Sequence, residues 1–335
     1  MRRLLFFALL FSLTVPSAFA QMQWVDRLYL DMRASFHQDF TPGDYNSQFI
    51  GEHLNFQIMG HISPTLDYRI RQRLNKKVFD ERNMFNATDF MYINWQATPR
   101  WSLTVGKQAV LIGGYEYDAA PIDVYYYSMF CNNLYQGFTF ALSTTYELAP
   151  EQKLCLQVCN SPLSLGFQNV YAYNAAWMGH FAPWWKTLWS VNFVQDQEKR
   201  FINYVALGNH FVFPNVIFDV DIMNRCGLGQ KKFLFGDFSV ISKMIWSVGK
   251  WNICAKGGYE YNASENVDAD GKAYDVVIAP GTRYYYYGCG LEYFPLGTDN
   301  LRFHAVYFRD NSANRNNVEL GATWRIDIIN RKTVQ

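Results

Sequence analysis

Three arginines at alternate positions, Arg69, Arg71 and Arg73, have the type and spacing of a binding row. In a β-strand, alternate side chains share one face and follow each other at about 6.6–6.8 Å. Each guanidinium presents a planar fork of N–H donors that matches carboxylate or phosphate. The row could therefore pass an anion from one arginine to the next. Alternatively, it is a solvated wall whose arginines pair with Asp31, Asp67 and neighbouring acids.

A second candidate is the polar segment 110–133, which contains Gly113-Gly114 and three consecutive tyrosines from Tyr125. A connection of this length between regular elements is more often functional than idle. We predict that it folds inward and narrows a pore; the alternative is that it packs over an external rim. The residues expected at the constriction are acidic or aromatic: Glu116, Asp118, Asp123, Tyr125 and Tyr126.

The cysteines and histidines, six of each, indicate neither a disulfide framework nor a metal site. Cys155 and Cys159 lie on one strand face about 13 Å apart, too far to bridge. Cys131 and Cys226 fall in loops and could pair, although free thiols are our default expectation. The histidines lie on separate segments without metal-ligand spacing, so we predict no metal and no cofactor.

The sequence contains no nucleophile elbow, no H-E-x-x-H and no phosphate-binding glycine loop. We therefore predict that the protein is not an enzyme. A barrel hydrolase, whose triad would be assembled across several strands, is kept as an alternative.

The elements that must position these residues are strands with two unlike faces. In 26–36 one face carries Leu28, Leu30 and Met32 and the other carries charged residues, and 66–74 repeats this alternation. Such a period of two is typical of strands with one apolar face. Sixteen segments of this kind can be placed, at about 25–36, 50–62, 66–74, 89–97, 101–109, 134–146, 153–159, 171–181, 187–195, 203–213, 216–225, 233–246, 251–261, 284–294, 301–309 and 317–328.

The connections between these segments alternate in length. Most short ones contain proline, as at Pro64, Pro99 and Pro150, because proline cannot donate to a strand ladder. The long ones, such as 37–49 and 262–283, are polar or rich in glycine. An even number of strands with short periplasmic turns and longer extracellular loops is typical of bacterial outer-membrane barrels.

Composition excludes other classes of protein. Half of the 335 residues are hydrophobic and 18% are aromatic, yet the mean hydropathy is only −0.16. No apolar run of about 20 residues follows the first residues, which excludes a helical membrane protein. The charged fraction of 18% and the net charge of +1 argue against disorder and nucleic-acid binding. We predict an all-β fold, a transmembrane antiparallel β-barrel of about sixteen strands over residues 21–335; a secreted β-sandwich array or propeller is the alternative.

The face opposite the apolar one is polar on nearly every segment, which indicates a water-filled interior. We predict an outer-membrane porin for passive diffusion of small hydrophilic solutes, with anions as a candidate class, and with lipid and solute as its partners. Acidic residues on the same face argue against strong anion preference, and a non-conducting barrel serving as a scaffold or secretion partner is the alternative. The predicted pore-lining and anion-binding residues are Arg27, Arg33, Arg69, Arg71, Arg73, Arg302 and Arg325.

Residues 1–20 have the features of a secretory signal peptide. Arg2 and Arg3 precede an apolar stretch, and Ala18-Phe19-Ala20 forms an A-x-A cleavage site. We predict export to the bacterial outer membrane with cleavage after Ala20. A membrane anchor is the alternative, but a dozen apolar residues are too few to span about 30 Å of hydrocarbon.

Val105-Gly106-Lys107-Gln108, followed by 113–118 (GGYEYD) and 121–123 (PID), resembles the porin O and P family, in its Bacteroidetes branch. The resemblance implies a sixteen-stranded channel, often a homotrimer, with its third long loop folded into the pore. In phosphate-selective members an arginine ladder lines the pore, and Arg69, Arg71 and Arg73 could correspond to it. Lysines gather near the mouth in those members, but segment 110–133 contains none, and Lys107 faces outward by alternation unless Gly106 introduces a bulge.

Overall fold

The computed structural model describes residues 24–75, 84–164, 169–312 and 314–331, so the predicted signal peptide lies outside it. Sixteen strands form one sheet. Their bounds are β1 Arg27–Thr41, β2 Asp44–Ser63, β3 Leu66–Arg73, β4 Thr88–Thr98, β5 Trp101–Ala109, β6 Phe138–Ala149, β7 Gln152–Asn160, β8 Tyr171–Ala182, β9 Trp185–Gln195, β10 Phe201–Val212, β11 Val216–Gly227, β12 Asp237–Val248, β13 Trp251–Asn262, β14 Arg283–Tyr293, β15 Leu301–Asp310 and β16 Asn316–Asn330.

The sheet is closed. Every strand pairs antiparallel with its neighbours in the sequence, and β1 pairs with β16 from Arg27 opposite Asn330 to Asp39 opposite Asn317. Closure leaves no edge of unpaired backbone groups, as a sheet surrounded by hydrocarbon requires. The predicted all-β, sixteen-stranded antiparallel barrel is confirmed.

Side chains alternate between the two surfaces of the wall. On β8, Tyr171 and Tyr173 are exposed on the outside, whereas Ala172 and Asn174 are buried on the inside. Outward positions on the other strands are similarly apolar, as with Val105 and Leu142. The outer surface is therefore suited to lipid and the inner surface to water.

Aromatic rings cluster at the end of the barrel that carries the short turns, which we call the short-turn end. Trp184 stacks with Phe211 and Phe213 at centroid distances of 6.2 Å. Trp251 on β13 packs on Tyr293 of β14 at 4.5 Å, at the same end of the barrel. Tyrosine and tryptophan favour the membrane interface, so these rings mark one border of the lipid-facing band.

The first long connection differs from the sequence prediction. Segment 37–49 was expected to be a loop, but β1 continues to Thr41 and β2 starts at Asp44, so the connection is a tight turn around Gly43. Gly43 has φ 88°, a conformation that favours glycine. The Phe36 and Phe49 rings pack across the two strands at 5.0 Å. This contact lies where the hairpin begins to extend past the strand segments predicted from the alternation.

Helical structure among the described residues is limited to short segments. These are the α-helices α1 (Tyr115–Asp118) and α2 (Met129–Asn133) and the 3₁₀ turns Met84–Ala87 and Pro121–Asp123. In the described part of the chain, no helix has the length and apolar character needed to cross a membrane. Both α-helices and the second 3₁₀ turn belong to segment 110–133.

Candidate functional site

Segment 110–133, which we call the inserted loop, connects β5 to β6 and runs along the inner surface of the barrel. Its residues contact inward side chains of β1, β11, β13, β14 and β15, on the far side of the wall from β5. Val110, Ile112 and Phe130 are fully buried and pack with Leu163 and Tyr204. The loop is therefore held both by an apolar cluster and by polar contacts to the wall.

A carboxylate from the wall holds each end of the inserted loop. Asp221 on β11 accepts hydrogen bonds from the backbone N–H groups of Tyr115 and Glu116, both at 2.8 Å. Glu260 on β13 accepts in the same way from the N–H groups of Met129 and Phe130, the latter at 3.0 Å. These are the unpaired N–H groups of the first turns of α1 and α2, which a carboxylate satisfies and stabilises.

Glycine allows the close approach of the loop to the wall. Gly114 has φ 115°, and a Cβ on Gly113 would lie 2.7 Å from the carbonyl oxygen of Leu188. On the wall, a Cβ on Gly208 would lie 2.7 Å from the Cα of Gly114. The Gly113-Gly114 pair of the sequence is therefore the point at which the loop backbone meets β9 and β10.

Glu116 and Lys256 form a buried ion pair between the inserted loop and β13. The N–H of Ser128 also donates to Glu116, at 3.0 Å. Burial would raise the pKa of Glu116, but the Lys256 ammonium and the hydrogen bonds of Ser128 hold it below its ordinary value. Glu116 is thus an internal tether of the loop.

The middle of the inserted loop is held by two of the arginines predicted to line the pore. Arg33 donates to the carbonyl oxygens of Ile122 and Val124, both at 3.0 Å, and Arg302 donates to that of Ile122 at 2.9 Å. Arg302 also pairs with Asp123 at 2.8 Å. The structure therefore brings Arg33, Arg302 and Asp123 together, with both guanidinium groups bound to loop groups.

The predicted tyrosines also anchor the loop. The Tyr125 hydroxyl donates to Glu292 at 2.6 Å, and the Tyr126 hydroxyl donates to Asp310 at 2.5 Å. Burial raises the pKa of both phenols, so they remain neutral donors. Asp118, the remaining predicted loop residue, makes a backbone hydrogen bond to Gly114, and burial raises the pKa of its carboxyl group.

The row of Arg69, Arg71 and Arg73 lies on the inner wall, as the alternation predicts. Asp89 accepts hydrogen bonds from Arg71 at 3.0 Å and from Arg73 at 2.9 Å. Arg69 donates to Gln57 at 3.1 Å, and its guanidinium lies 4.0 Å from the Phe90 ring centroid. The acid that pairs with the row is thus Asp89, and neither Asp31 nor Asp67 does so.

Asp89 reaches the inner surface because of a β-bulge. The register of β3 and β4 passes from Arg71 opposite Phe90 to Gln72 opposite Thr88, which leaves Asp89 as the extra residue. Simple alternation places Asp89 on the outward face with Met91. A bulge redirects a side chain in this way, and a period of two in the sequence does not predict it.

The remaining predicted arginines line the wall toward the short-turn end. Arg325 donates to Asp31 at 2.6 Å, and Arg27 pairs with Asp327 at 3.4 Å. Both guanidinium groups lie 4.6 Å from the centroid of the Tyr29 ring. Like Arg71 and Arg73, these arginines are matched by carboxylates.

Two cavities flank the inserted loop, and Ala119 lines both. The outer cavity, of about 520 Å³, lies toward the long loops and is lined by Arg73, Asp89 and Lys107. The inner cavity, of about 310 Å³, lies toward the short turns. Its ionisable lining consists of seven acids and four bases: Asp31, Glu116, Asp123, Asp219, Asp221, Glu292, Asp299, Lys243, Lys256, Arg302 and Arg325.

Lys107 lines the outer cavity, although simple alternation assigns it to the outward face. The preceding residue, Gly106, has φ 127°, which breaks the regular geometry of β5. The Lys107 ammonium then donates to the carbonyl oxygen of Phe85. A cation therefore lines the outer cavity.

All six cysteines are free, so Cys131 and Cys226 do not form the disulfide that was considered. The Cys131 thiol lies 3.3 Å from Glu116, and burial raises its pKa. It is a packed thiol beneath the inserted loop.

Sequence reasoning missed the wall residues that hold the loop, namely Asp221, Glu260 and Glu292. Each stands at an inward position of its strand, where the alternation places it among the acids of the lumen face, so what sequence reasoning missed is their contact with the loop. Asp221 and Glu260 accept from backbone N–H groups of the loop and Glu292 accepts from the Tyr125 hydroxyl, and all of these partners are more than 100 residues away in the sequence. Spacing contains no signal for such a contact.

A family model described as phosphate-selective porin O and P matches residues 27–187. A search of curated proteins found no match. Among solved structures, the barrel is similar to an anion-selective porin from Comamonas acidovorans, with a TM-score of 0.61 and 8% identity over 89% of this chain and 98% of that chain. It is also similar to OprB of Pseudomonas putida, with a TM-score of 0.61 and 9% identity over 91% and 94% of the two chains.

A third similar structure is outer-membrane expressed OmpT of Vibrio cholerae, with a TM-score of 0.61 and 10% identity over 89% of this chain and 97% of that chain. At these identities the structural likeness establishes the fold, whereas the family match rests on the sequence of residues 27–187. The chain therefore has the β-barrel fold of these outer-membrane porins, and its residues 27–187 match the phosphate-selective porin O and P family.

Proposed function

We propose that this protein is a porin through which small hydrophilic solutes diffuse passively across the bacterial outer membrane. The observation that carries the proposal is the pair of cavities, both lined by charged side chains and both bordered by Ala119, inside a closed barrel. Sixteen strands about 4.8 Å apart and tilted by about 40° enclose a barrel about 32 Å across between backbones. The contacts of the inserted loop with the inner wall support the proposal that it narrows this width and forms the constriction.

We propose membership of the whole chain in the porin O and P family. The match over residues 27–187 supports this, because it includes the row of arginines and the inserted loop. The Bacteroidetes branch rests on the resemblance of 105–108 and 113–123. The match to a porin family also supports our proposal that the protein is a channel and not an enzyme.

The charges of the two cavities support a weak ion preference. Arg73 and Lys107 give the outer cavity an excess of positive charge over Asp89, which favours the entry of anions. The inner cavity has more acids than bases, which opposes their passage. We therefore propose that anions and neutral solutes both cross, with the selective step at Arg69, Arg71 and Arg73.

Single-channel recording in planar bilayers tests the proposal. We expect ohmic conductance from the folded barrel, and several-fold larger conductance after deletion of residues 115–127, because the inserted loop occupies much of the lumen. Unchanged conductance after the deletion would contradict the constriction. Complete absence of current, with other proteins co-purifying, would instead support the scaffold or secretion partner.

We propose that the mature protein begins at Gln21 and assembles as a homotrimer. The A-x-A site at Ala18-Phe19-Ala20 supports the first point. The trimer form of OmpT from Vibrio cholerae, which shares the fold with a TM-score of 0.58, supports the second. N-terminal sequencing of protein from outer membranes tests the cleavage, and light scattering of the detergent-solubilised protein tests the subunit number.

A further inference from the structure

A histidine and two glutamates converge where the first and last strands meet. The side chains are His37 on β1, Glu52 on β2 and Glu319 on β16, and one ligand atom from each lies within 4.8 Å of the others. His37 Nε2 contacts Glu52 Oε1 and lies 3.9 Å from Glu319 Oε2. Of the three side chains, only Glu319 is almost completely buried.

Glu52 joins this cluster through a second β-bulge. The register of β1 and β2 passes from Arg33 opposite His53 to Ala34 opposite Gly51, so Glu52 has no direct partner. Simple alternation would place Glu52 on the lipid-facing side. A bulge in a wall of regular strands bends the chain at one point, and here it brings a carboxylate to His37.

Groups outside the cluster orient both carboxylates. Glu52 Oε2 is held by Arg33, which leaves Oε1 toward His37. Glu319 Oε1 accepts from Ser35 at 3.1 Å and contacts His304 Nε2 at 2.9 Å, which leaves Oε2 toward His37. Outer partners that fix one oxygen of a carboxylate and leave the other for an ion are typical of metal sites.

We propose that His37, Glu52 and Glu319 bind a divalent transition-metal ion, with Zn²⁺ as the best match. One imidazole nitrogen and two carboxylate oxygens form a ligand set that zinc accepts, with water in the fourth position. Donors about 2.0–2.1 Å from a tetrahedral ion are about 3.3 Å apart, so closing the site requires only side-chain shifts.

The local charge favours a cation. Glu52 and Glu319 contribute two negative charges, and Arg33 balances one of them. A metal ion bound between His37 and Glu52, in place of their hydrogen bond, neutralises the remaining carboxylate charge without displacing Arg33. This inference does not depend on conduction through the barrel.

The ion would connect three adjacent strands across the junction of the chain termini. His37 and Glu319 are direct cross-strand partners in the β1–β16 ladder, and Glu52 belongs to β2. The bound metal would therefore cross-link the strands that close the barrel, and we expect it to raise the unfolding temperature. His304, which contacts Glu319, also packs against the Tyr125 ring of the inserted loop, at a centroid distance of 4.6 Å.

Calorimetric titration of the chelator-treated, folded protein in detergent with ZnCl₂ tests the proposal. We expect one saturable site whose affinity falls at least tenfold in His37→Gln and in Glu52→Gln, and a zinc-dependent rise in Tm that chelator reverses. The matched control is His210→Gln, which also removes one histidine, because His210 faces the single carboxylate of Asp219 at 2.5 Å.

The absence of saturable zinc binding by the unsubstituted protein would overturn the site. So would equal weakening by His37→Gln and His210→Gln, since that result would indicate nonspecific binding to histidine. If His37→Gln fails to fold, Glu52→Gln and Ser35→Ala keep the proposal testable. Ser35→Ala removes an outer partner of Glu319, and we expect it to weaken binding about tenfold.

Discussion

Replacing Asp221 by alanine should loosen the inserted loop and enlarge the passage. The Asp221 carboxylate accepts two buried N–H hydrogen bonds, from Tyr115 and Glu116, each at 2.8 Å. Leaving one buried donor unpaired costs about 1–3 kcal/mol, so the substitution removes about 2–6 kcal/mol from the attached state. Since 1.4 kcal/mol is a tenfold change in population, the detached loop end should become at least about 30-fold more populated.

Single-channel recording measures this change. We expect the Asp221→Ala channel to enter a state of larger conductance far more often than the unsubstituted channel. The matched control is Asp299→Ala, which removes one carboxylate from the same cavity at the turn between β14 and β15. Because both variants lose one carboxyl group from the same cavity, an effect of carboxyl loss alone should appear in both.

The reasoning is refuted if Asp221→Ala and Asp299→Ala give the same current traces. It is also refuted if Asp221→Ala matches the unsubstituted protein, because the carboxylate would then contribute nothing to loop attachment. An additional Glu260→Ala substitution extends the test, since Glu260 holds the other end of the loop through Met129 and Phe130. The double variant should enter the state of larger conductance more often than either single variant.

Three further predictions concern stability and selectivity. The pKa of Glu116 lies below its ordinary value of 4.5, so its stabilising charge is present above pH 4.5 and is lost as the pH falls through the lower folded-state value; urea midpoints should decline below pH 4.5, and less so in Glu116→Gln. Arg73→Ala should reduce anion preference, measured as a reversal potential in a KCl gradient, more than Arg71→Ala, because the Arg73 side chain is 29% exposed and that of Arg71 only 7%. Gly208→Val should cost about 1–3 kcal/mol of unfolding free energy by pushing on Gly114, whereas Gly51→Val, with open space around it, should cost less.

The period of two in the sequence predicted the strands well, because one physical requirement acts on every strand: lipid outside and water inside. This is why all sixteen strands could be placed without knowledge of their partners. The hairpin around Gly43 was missed because its strands continue beyond the lipid band, where the two faces no longer need to differ. The period then disappears although the backbone pairing continues.

The candidate site was only partly predictable. The alternation of inward and outward positions predicts that the arginines at 33, 69, 71, 73 and 302 face the lumen, and the structure places them there. Asp89 and Glu52, which pair with some of these arginines, fall on outward positions by simple alternation and reach the lumen only because of β-bulges. A bulge depends on how two strands fit together, which neither strand encodes alone.

The pairing of β1 with β16 also determines the order in which the molecule can assemble. Arg27 and Asn330 are partners, so the wall cannot close until the whole chain is present. The inserted loop contacts β11, β13 and β14 inside that wall, so it can reach its final place only after those strands are present. Contacts this distant in sequence form slowly. Until the seam closes, β1 and β16 present two unpaired strand edges that invite association with other chains, so the half-formed barrel needs protection during membrane insertion.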